Sequence, residues 1–510
     1  MRAWRCVVVI LAACRGSEQP APAPAPTKPA AEPEAVTAAQ PVPDFPEGTR
    51  SLELVRTVGV RLEPADDGKR IGTVSIDTRV GWTRTASGKG CEKPWIEISP
   101  RGWICGDYVK PSVKPPYGQE VPGLDRGEIV PGTYGKVTAP GATLFALEKP
   151  EKKKKPDRGQ RSGTRDDRKK GPVRSPDEPD VAKPPHMVQS DPIIGSLNVR
   201  DYDDVTVDGR LYWKVAQKDN QYVLASTITK HVPSRFVGGR LGDDTGLDGP
   251  PPLEGFHEGS GSAAAPPELP TIAFVMPRGG MLEAWTTAKP NLGVVRQLPA
   301  RTLVSIREVQ LAKDGKPAAY RIGDAEWMSP ADLRVFAPAP PPPTLEKGER
   351  WIDVDLDDEI LVAYEGDLPV YATLVSSGAK DTPTETGVYR MWLKESEADM
   401  KGLNGEDPYS VATVPWTQFF SPEKGLALHT AYWHDGFGHA RSHGCVNLAP
   451  RDARWLYFWS DPQVPPGWTM AAGVVEAPGS IVRIRSAADP NPELKGYAKK
   501  VAEARAEPSP

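Results

Sequence analysis

The stretch RWIDVDLDDEILVAYEGDLPVYATLVSSGA (350–379) decides the fold class of the last large segment of this 510-residue chain. Apolar and β-branched residues alternate with polar ones on both sides of the turn-forming triplet Glu365-Gly366-Asp367. A period of two residues is typical of strands, and a tight turn between two such runs predicts a hairpin. This segment is therefore predicted to open a mainly β domain.

Further strand patterns follow this hairpin, at GVYRMWL (387–393), GLALHT (425–430) and SIVRIR (480–485). One helix is predicted at PRDARWLYFWSD (450–461), because the leading proline suits the first position of a helix. Residues 348–486 are therefore expected to form a mostly β domain with a few short helices, followed by a tail at 487–510.

Proline-rich stretches divide the chain upstream of this domain. The 57 prolines and 48 glycines are concentrated rather than spread, and such clusters mark linkers. We predict linkers at 235–270 and 337–347, and a tether at 14–50 whose Pro/Ala composition leaves almost nothing to bury. Because a proline-rich spacer is stiff and makes few contacts, the segment before 337–347 is expected to be separable from the C-terminal domain.

Three segments between these linkers look like variants of one β-rich unit, and we call them the first module (52–112), the second module (133–234) and the third module (271–336). Each contains an aromatic-led strand, a tight turn and a second aromatic residue followed by an apolar one. Short strands at this spacing predict small barrels. Within the second module, KPEKKKKPDRGQRSGTRDDRKKGPVR (149–174) has almost no apolar residue and is expected to be a solvated basic insertion.

The first module also contains VRLEPADDGKRIGTVSIDTRV (60–80), which resembles the opening of bacterial SH3-like domains. The resemblance implies about three small SH3-like β-barrels on proline-rich linkers, and such modules often bind cell-wall peptides. The alternative is a set of spacers that set the reach of the C-terminal domain and shield it. The sequence favours neither.

The charge of the chain argues against a polyanionic partner. A formal net charge of −4 on 510 residues gives no global field that attracts nucleic acid, so no nucleic-acid partner is expected. The basic insertion is able to contact anionic wall polymers or lipid, but a solubilising loop explains its composition better.

The N-terminus MRAWRCVVVILAAC (1–14) combines arginines, a short apolar run and small residues, which is typical of an export signal and too short to span a bilayer. One interpretation is an ordinary secretory peptide. LAAC (11–14) resembles the bacterial lipobox, which implies a signal peptide at 1–13 and a lipidated Cys14 that anchors the protein to a membrane. With Arg15 after the cysteine, the resemblance implies the cell envelope, on the periplasmic side of the outer membrane.

Three cysteines remain outside this signal. Cys91 and Cys105 close a short loop, and an oxidising compartment makes a disulfide between them the expected state. The alternative is that both are small buried apolar residues. Cys445 is then an unpaired thiol.

Four of the seven histidines lie in HTAYWHDGFGHARSHGCVNL (429–448), close to Cys445. Zinc accepts such ligands, but intervals of five, five, four and two residues fit none of the common zinc patterns, so no metal is expected. The aspartate, arginine and glycines of this stretch indicate a polar loop rather than a core segment. His434 and His439 are interpreted as loop residues.

A nucleophilic site needs a thiol, a base within reach and donors for the charge that develops on a carbonyl oxygen. His429 ends an apolar strand, a rigid place from which an imidazole can meet the Cys445 thiol. Gly444 removes a side chain where the backbone turns, so that amides around Gly444 and Cys445 can point at an oxyanion. A free cysteine has a pKa of about 8.5, and an adjacent imidazole that lowers this pKa or takes the proton makes the thiol useful at neutral pH.

These residues match a family pattern. SHGCVNL (442–448), with His429 upstream, resembles the signature of the YkuD-type L,D-transpeptidases, in which a histidine precedes [Ser/Thr]-His-Gly-Cys-x-Asn. TPTETGVYR (382–390) resembles the Thr-Pro-Thr-x-Thr-Gly turn of that family, and residues 351–378 resemble its opening strands. The resemblance covers 348–486 and implies a β-sandwich catalytic domain.

The resemblance also implies roles for the matching residues. Cys445 is the nucleophile, and His429, oriented by the backbone carbonyl of Thr430, accepts and later returns its proton. His443 positions or polarises the thiol, and an exchange of roles between His443 and His429 stays open. Asn447 supports the loop or the substrate, and two further residues belong to the pocket: Trp433 and Arg441.

The implied chemistry is acyl transfer on a peptidoglycan stem peptide. Cys445 attacks the carbonyl of the third residue of a tetrapeptide, D-alanine leaves, and an amine resolves the thioester. That amine belongs to another stem, a D-amino acid, glycine or a lysine on an acceptor protein. No cofactor is expected, because the thioester retains the energy of the cleaved bond.

Two alternatives stay open. A related enzyme would hydrolyse the thioester or cut such links instead of making them. A non-catalytic lipoprotein scaffold would bind the wall through its modules and hold stems without turning them over, although the complete Cys/His set argues against it.

Overall fold

The computed structural model describes residues 45–148, 184–241, 271–276, 282–289, 293–336, 339–402 and 409–506. The predicted signal peptide, Cys14, most of the tether and the basic insertion lie outside these ranges. Strands dominate the described residues, so the prediction of a mainly β fold is confirmed. In this part of the chain no helix is both long and apolar enough to cross a membrane.

The first module is built from eight short strands that form a three-stranded sheet and the end of a larger sheet. In the structure, Cys91 and Cys105 form a disulfide in this module, with their Cα atoms 5.7 Å apart. The strands are β1 Ser51–Leu54, β2 Val58–Arg61, β3 Arg70–Val74, β4 Arg79–Val80, β5 Trp82–Ala86, β6 Trp95–Ile98, β7 Trp103–Cys105 and β8 Val109–Ser112.

The second module and the segment after it contribute nine strands. They are β9 Thr133–Val137, β10 Thr143–Glu148, β11 His186–Pro192, β12 Ser196–Asp201, β13 Asp203–Val207, β14 Arg210–Lys214, β15 Tyr222–Leu224, β16 Ile228–Lys230 and β17 Gly239–Arg240.

The third module contains β18 Thr271–Val275, β19 Leu282–Trp285, β20 Val294–Leu298, β21 Leu303–Ile306, β22 Glu308–Leu311, β23 Pro317–Gly323, β24 Glu326–Met328 and β25 Leu333–Phe336. Within the described residues, each of the three modules ends with the same sequence of elements, a strand, a 3-10 turn and a strand. These turns are Gly106–Tyr108, Ala225–Thr227 and Pro330–Asp332.

The C-terminal domain has ten strands and two helices. They are β26 Arg350–Asp355, β27 Ile360–Glu365, β28 Leu368–Leu374, β29 Gly387–Arg390, β30 Leu393–Gly402, β31 Tyr409–Ser421, β32 Leu426–Thr430, β33 Val446–Leu448, α1 Pro450–Trp459, β34 Trp468–Ala472, β35 Ile481–Arg485 and α2 Gly496–Ala506. The predicted hairpin, the later strands and the helix beginning at Pro450 are confirmed. Helix α2 lies inside the predicted tail at 487–510.

The core of this domain lies between two sheets. A six-stranded sheet runs in the order β17-β28-β27-β26-β35-β29, and its inner residues pack against β31, β32, β33 and α1 in one apolar cluster. Alternate residues of β26, such as Ile352 and Val354, face this cluster, while Trp351 faces the opposite side.

That opposite side is also buried, because the third module covers it. Trp351, Val362 and Tyr364 form one apolar cluster with Phe274 and Phe336. The hairpin is therefore buried on both faces instead of being exposed on one.

The first and second modules are joined to the domain by strand pairing and not only by linkers. Strand β3 pairs with β34 and β12 pairs with β31, which makes one continuous sheet of thirteen strands. At the first junction Gly72 is required, since a Cβ there would lie 1.9 Å from the ring of Trp468.

The spacer at 337–347 also packs on the domain where it is described. The backbone N–H of Ala339 donates to the Tyr364 hydroxyl (3.1 Å), and the carbonyl of Pro340 accepts from Nη1 of Arg483 (2.8 Å). The expectation of a separable third module is therefore at odds with the structure. Proline content predicted stiffness but not these contacts.

Candidate active site

Two short parallel strands bring the predicted site residues together. In the pairing of β32 with β33, His429 lies opposite Asn447. Cys445 lies in the bend that leads directly into β33. His429, Asn447 and Cys445 all line one cleft of about 1010 Å³.

His429 is buried in a neutral, defined tautomer. Its Nδ1 lies 2.9 Å from the carbonyl oxygen of Thr430, which only accepts hydrogen bonds, so Nδ1 carries the proton. Burial disfavours the imidazolium and lowers the pKa of His429 to about 4, although the bond to Thr430 opposes this shift. Nε2 is consequently left as an acceptor at neutral pH.

The Cys445 thiol is also neutral. Its Sγ lies 3.8 Å from the carbonyl oxygen of Gly425, and the side chain reaches the cleft. Burial raises its pKa to about 11, partly offset by a backbone hydrogen bond from Ala427. Of the two routes to activation that the sequence left open, the raised pKa argues against a stable thiolate. Proton removal by an imidazole is the route that is left.

The turn before Cys445 depends on a glycine. Gly444 has φ +118°, a left-handed conformation that side chains rarely adopt, and a Cβ there would lie 3.2 Å from Leu426. Its N–H donates to Oγ of Ser442 (3.1 Å), so this amide is already engaged. The N–H of Cys445 has no acceptor among the described residues. It is the amide at this turn that is left to bind an oxyanion.

A second segment of the domain supports this turn. The backbone N–H groups of Arg441 and Ser442 both donate to the carbonyl of Ser377 (2.8 and 2.9 Å). Ser377 is held in turn by the buried carboxylate of Glu359, which accepts from its N–H at 2.7 Å. Oγ1 of Thr384, in the predicted threonine-rich turn, donates to the Gly444 carbonyl at 2.8 Å.

His434 is a functional candidate that the sequence interpretation missed. Its Nδ1 accepts from the N–H of Gly436 (3.2 Å), so Nε2 must carry the proton. In the structure Nδ2 of Asn447 lies 3.0 Å from Nε2 of His434, and Oδ1 of Asn447 is buried without a partner among the described residues. Because a protonated Nε2 cannot accept a hydrogen bond, we assign the amide with its oxygen and nitrogen exchanged, so that Nε2 donates to Oδ1. His434 thus orients Asn447.

The remaining predicted residues also line the cleft. The Trp433 ring lies 5.9 Å from that of His429, between centroids. Arg441 and His443 are exposed at its edge, and His443 is much less buried than His429. Cys91 and Cys105 do not line the cleft.

Residues of other modules hold the loop that leads from β32 to the turn. Arg301 of the third module donates through both arms to the Asp435 carboxylate (2.7 and 2.8 Å), and Arg334 donates to the Gly438 carbonyl (2.7 Å). Oγ of Ser234, at the end of the second module, also donates to Asp435. No local sequence signal could have found these contacts, because the partners are far apart along the chain.

A histidine and a thiol that line one cleft, with a glycine turn directly before the thiol, are among the features that the family resemblance implies. Residues 349–484 match the YkuD family. The model that they match describes the L,D-transpeptidase catalytic domain, and we call these residues the YkuD domain. The match lies within the predicted domain at 348–486.

Several solved structures are similar to this chain. A mutant L,D-transpeptidase of Enterococcus faecium shares 26% identity over 27% of this chain and 50% of its own (TM-score 0.22), so the chain spans half the length of that protein. The catalytic domain of the E. faecium L,D-transpeptidase shares 26% identity over 27% of this chain and 98% of its own (TM-score 0.21). An L,D-transpeptidase of Mycobacterium smegmatis shares 17% identity, covering 42% and 82% (TM-score 0.23). No curated protein matches the chain significantly.

Proposed function

We propose that this protein is a peptidoglycan L,D-transpeptidase with Cys445 as its nucleophile. The observation that carries the proposal is that His429 and Cys445 line the same cleft, with the Nδ1–Thr430 bond leaving Nε2 of His429 as the base. The match of 349–484 to the YkuD family supports the same reaction class.

The reaction begins with both groups neutral. Nε2 of His429 removes the thiol proton as Sγ attacks the carbonyl carbon of the third stem residue, and the carbonyl oxygen becomes an oxyanion near the Cys445 N–H. When this intermediate collapses, the C–N bond breaks, and the imidazolium gives its proton to the departing amino group of D-alanine. The acyl group remains on Sγ as a thioester.

An incoming amine then completes the transfer. It attacks the thioester carbonyl, His429 accepts a proton from the amine, and that proton returns to Sγ as the C–S bond breaks. In this mechanism the buried His429 moves the proton, and the exposed His443 polarises or positions the thiol. The acceptor is an amine of another stem, a D-amino acid, glycine or a protein lysine.

The test is intact-protein mass spectrometry with a tetrapeptide stem. Wild-type protein should gain the mass of the stem minus D-alanine, and Cys445→Ser should not. The products then separate the alternatives: a free acid without any amide identifies a hydrolase. No adduct on a reactive Cys445 would favour a wall-binding scaffold.

We also propose that Cys14 is lipidated and that the protein faces the periplasm from the outer membrane, attached through its tether. Palmitate incorporation measures the first claim, since Cys14→Ser should abolish the label. Equal labelling of both proteins would contradict it.

A further inference from the structure

The active-site cleft has a second wall that lies outside the YkuD domain. Strand β12 of the second module pairs in parallel with β31, placing Ser196 opposite Tyr409 and Asn198 opposite Val411. Strand β9 pairs with β12 in turn and continues the same sheet. Backbone hydrogen bonds therefore hold this wall at a fixed place beside Cys445.

Side-chain packing turns one face of β9 towards the YkuD domain. The ring of Tyr134 stacks on that of Tyr432 with centroids 4.0 Å apart, and its hydroxyl donates to the Thr413 carbonyl (3.2 Å). Side chains two residues apart on a strand share a face, so Lys136 points the same way as Tyr134. Lys136 accordingly lines the cleft together with Cys445.

The cleft concentrates positive charge in a chain whose net charge is −4. Lys136 stands on the module side and Arg441 on the YkuD side, and no aspartate or glutamate is among the described residues that line the cleft. Neither cation has an ion-pair partner within the described ranges. Burial and the neighbouring Lys136 lower the pKa of His231, which keeps that imidazole neutral.

We propose that Lys136 binds a carboxylate of the stem peptide, so that the second module is a substrate-binding part of the active site rather than a spacer. The inference rests on the proposed transpeptidase function. Peptide stems carry carboxylates near the bond that is cut, and a lysine on a fixed wall opposite Arg441 lets the cleft select and align them. The exposed Ile194, on the same wall, offers apolar contact to the aliphatic parts of the stem.

The experiment measures the steady-state release of D-alanine from a tetrapeptide stem by the full chain, with an acceptor amine present. Lys136→Met should raise KM about threefold to tenfold and leave kcat nearly unchanged, because the lysine is exposed and acts on binding. Lys136→Arg should restore most of the affinity. Lys218→Met is the matched control, since Lys218 is an exposed lysine of the same module that does not line the cleft.

Stems amidated at one carboxylate at a time identify the bound group. With the stem that lacks this group, Lys136→Met and wild type should have the same KM. Alkylation of Cys445 by iodoacetamide should be equal in all variants, which shows that the site itself is intact.

The outcomes separate the two proposals. Wild-type turnover with equal KM for Lys136→Met and Lys218→Met would overturn the role of Lys136 and leave the transpeptidase function standing. The role would also be overturned by a KM change that persists with every amidated stem. Absence of wild-type acylation, with Cys445 still alkylated, would overturn the proposed function and with it this inference.

Discussion

Two neighbouring regions of the candidate active site are held in different ways. The strand pair β32–β33, which carries His429 and Asn447, is held by backbone pairing inside the YkuD domain. The loop between these strands is held from two sides. Ser377 of the YkuD domain accepts from the backbone N–H groups of Arg441 and Ser442, and arginines of the third module bind Asp435 and Gly438. The difference teaches that the domain positions the proposed reacting groups by itself, whereas the shape of the loop beside them depends in part on another module.

The largest effect on the acylation rate should come from a substitution in the strand pair β32–β33. His429→Ala is expected to slow acylation of Cys445 by a stem about 100- to 10,000-fold, because it removes the proposed general base. Stopped reactions followed by mass spectrometry measure the rate. His443→Ala should cost far less, since that imidazole is exposed. An equal loss in both variants would mean that the two histidines act as a unit or in exchanged roles.

The pH dependence of the acylation rate tests the role of His429 in the same strand pair. His429 has its pKa lowered to about 4, so it accepts a proton above that pH and loses this ability as the pH falls through about 4. Acylation should therefore be level from pH 5 to neutral pH and drop about tenfold per unit below pH 4. An inflection near the ordinary histidine value of about 6.5 would instead assign the base to an exposed imidazole.

His434 links the two regions, because it lies in the loop and contacts the side-chain amide of Asn447 on β33. His434→Ala should lower kcat about tenfold, because Asn447 loses the partner that orients its amide. His434→Gln, whose amide can donate to the same oxygen, should recover much of it. His439→Ala on the exposed part of the loop is the control, and a loss as large as that of His434→Ala would contradict the specific role.

The smallest effect on the acylation rate should come from the contacts between the third module and the loop. Arg301→Ala is expected to reduce acylation about threefold, because it removes the paired bonds to Asp435 without touching the reacting groups. Arg307→Ala, which breaks an exposed pair with Asp324 in the same module, should leave the rate unchanged. If both variants behave alike, the loop keeps its shape without the third module.

The parts of this site that could be predicted from sequence are those encoded by nearby residues. The hairpin at 350–379, the helix beginning at Pro450 and the motif around Cys445 each follow from local spacing. Lys136, Arg301 and the role of His434 do not, because they arise where distant segments meet. Composition suggested independent modules for the same reason, since a proline-rich spacer gives no sign of the strands that pair across it.

The cover that the third module places over β26–β28 has a consequence for biosynthesis. The N-terminal part of a chain is made first, so Phe274 emerges well before, and Phe336 shortly before, the aromatic residues that complete their cluster. Until Trp351 and Tyr364 follow, that apolar surface has no native cover, and β12 waits still longer for β31. Folding of this protein is therefore completed late, by its last quarter, and truncated chains should be prone to aggregation and to chaperone capture.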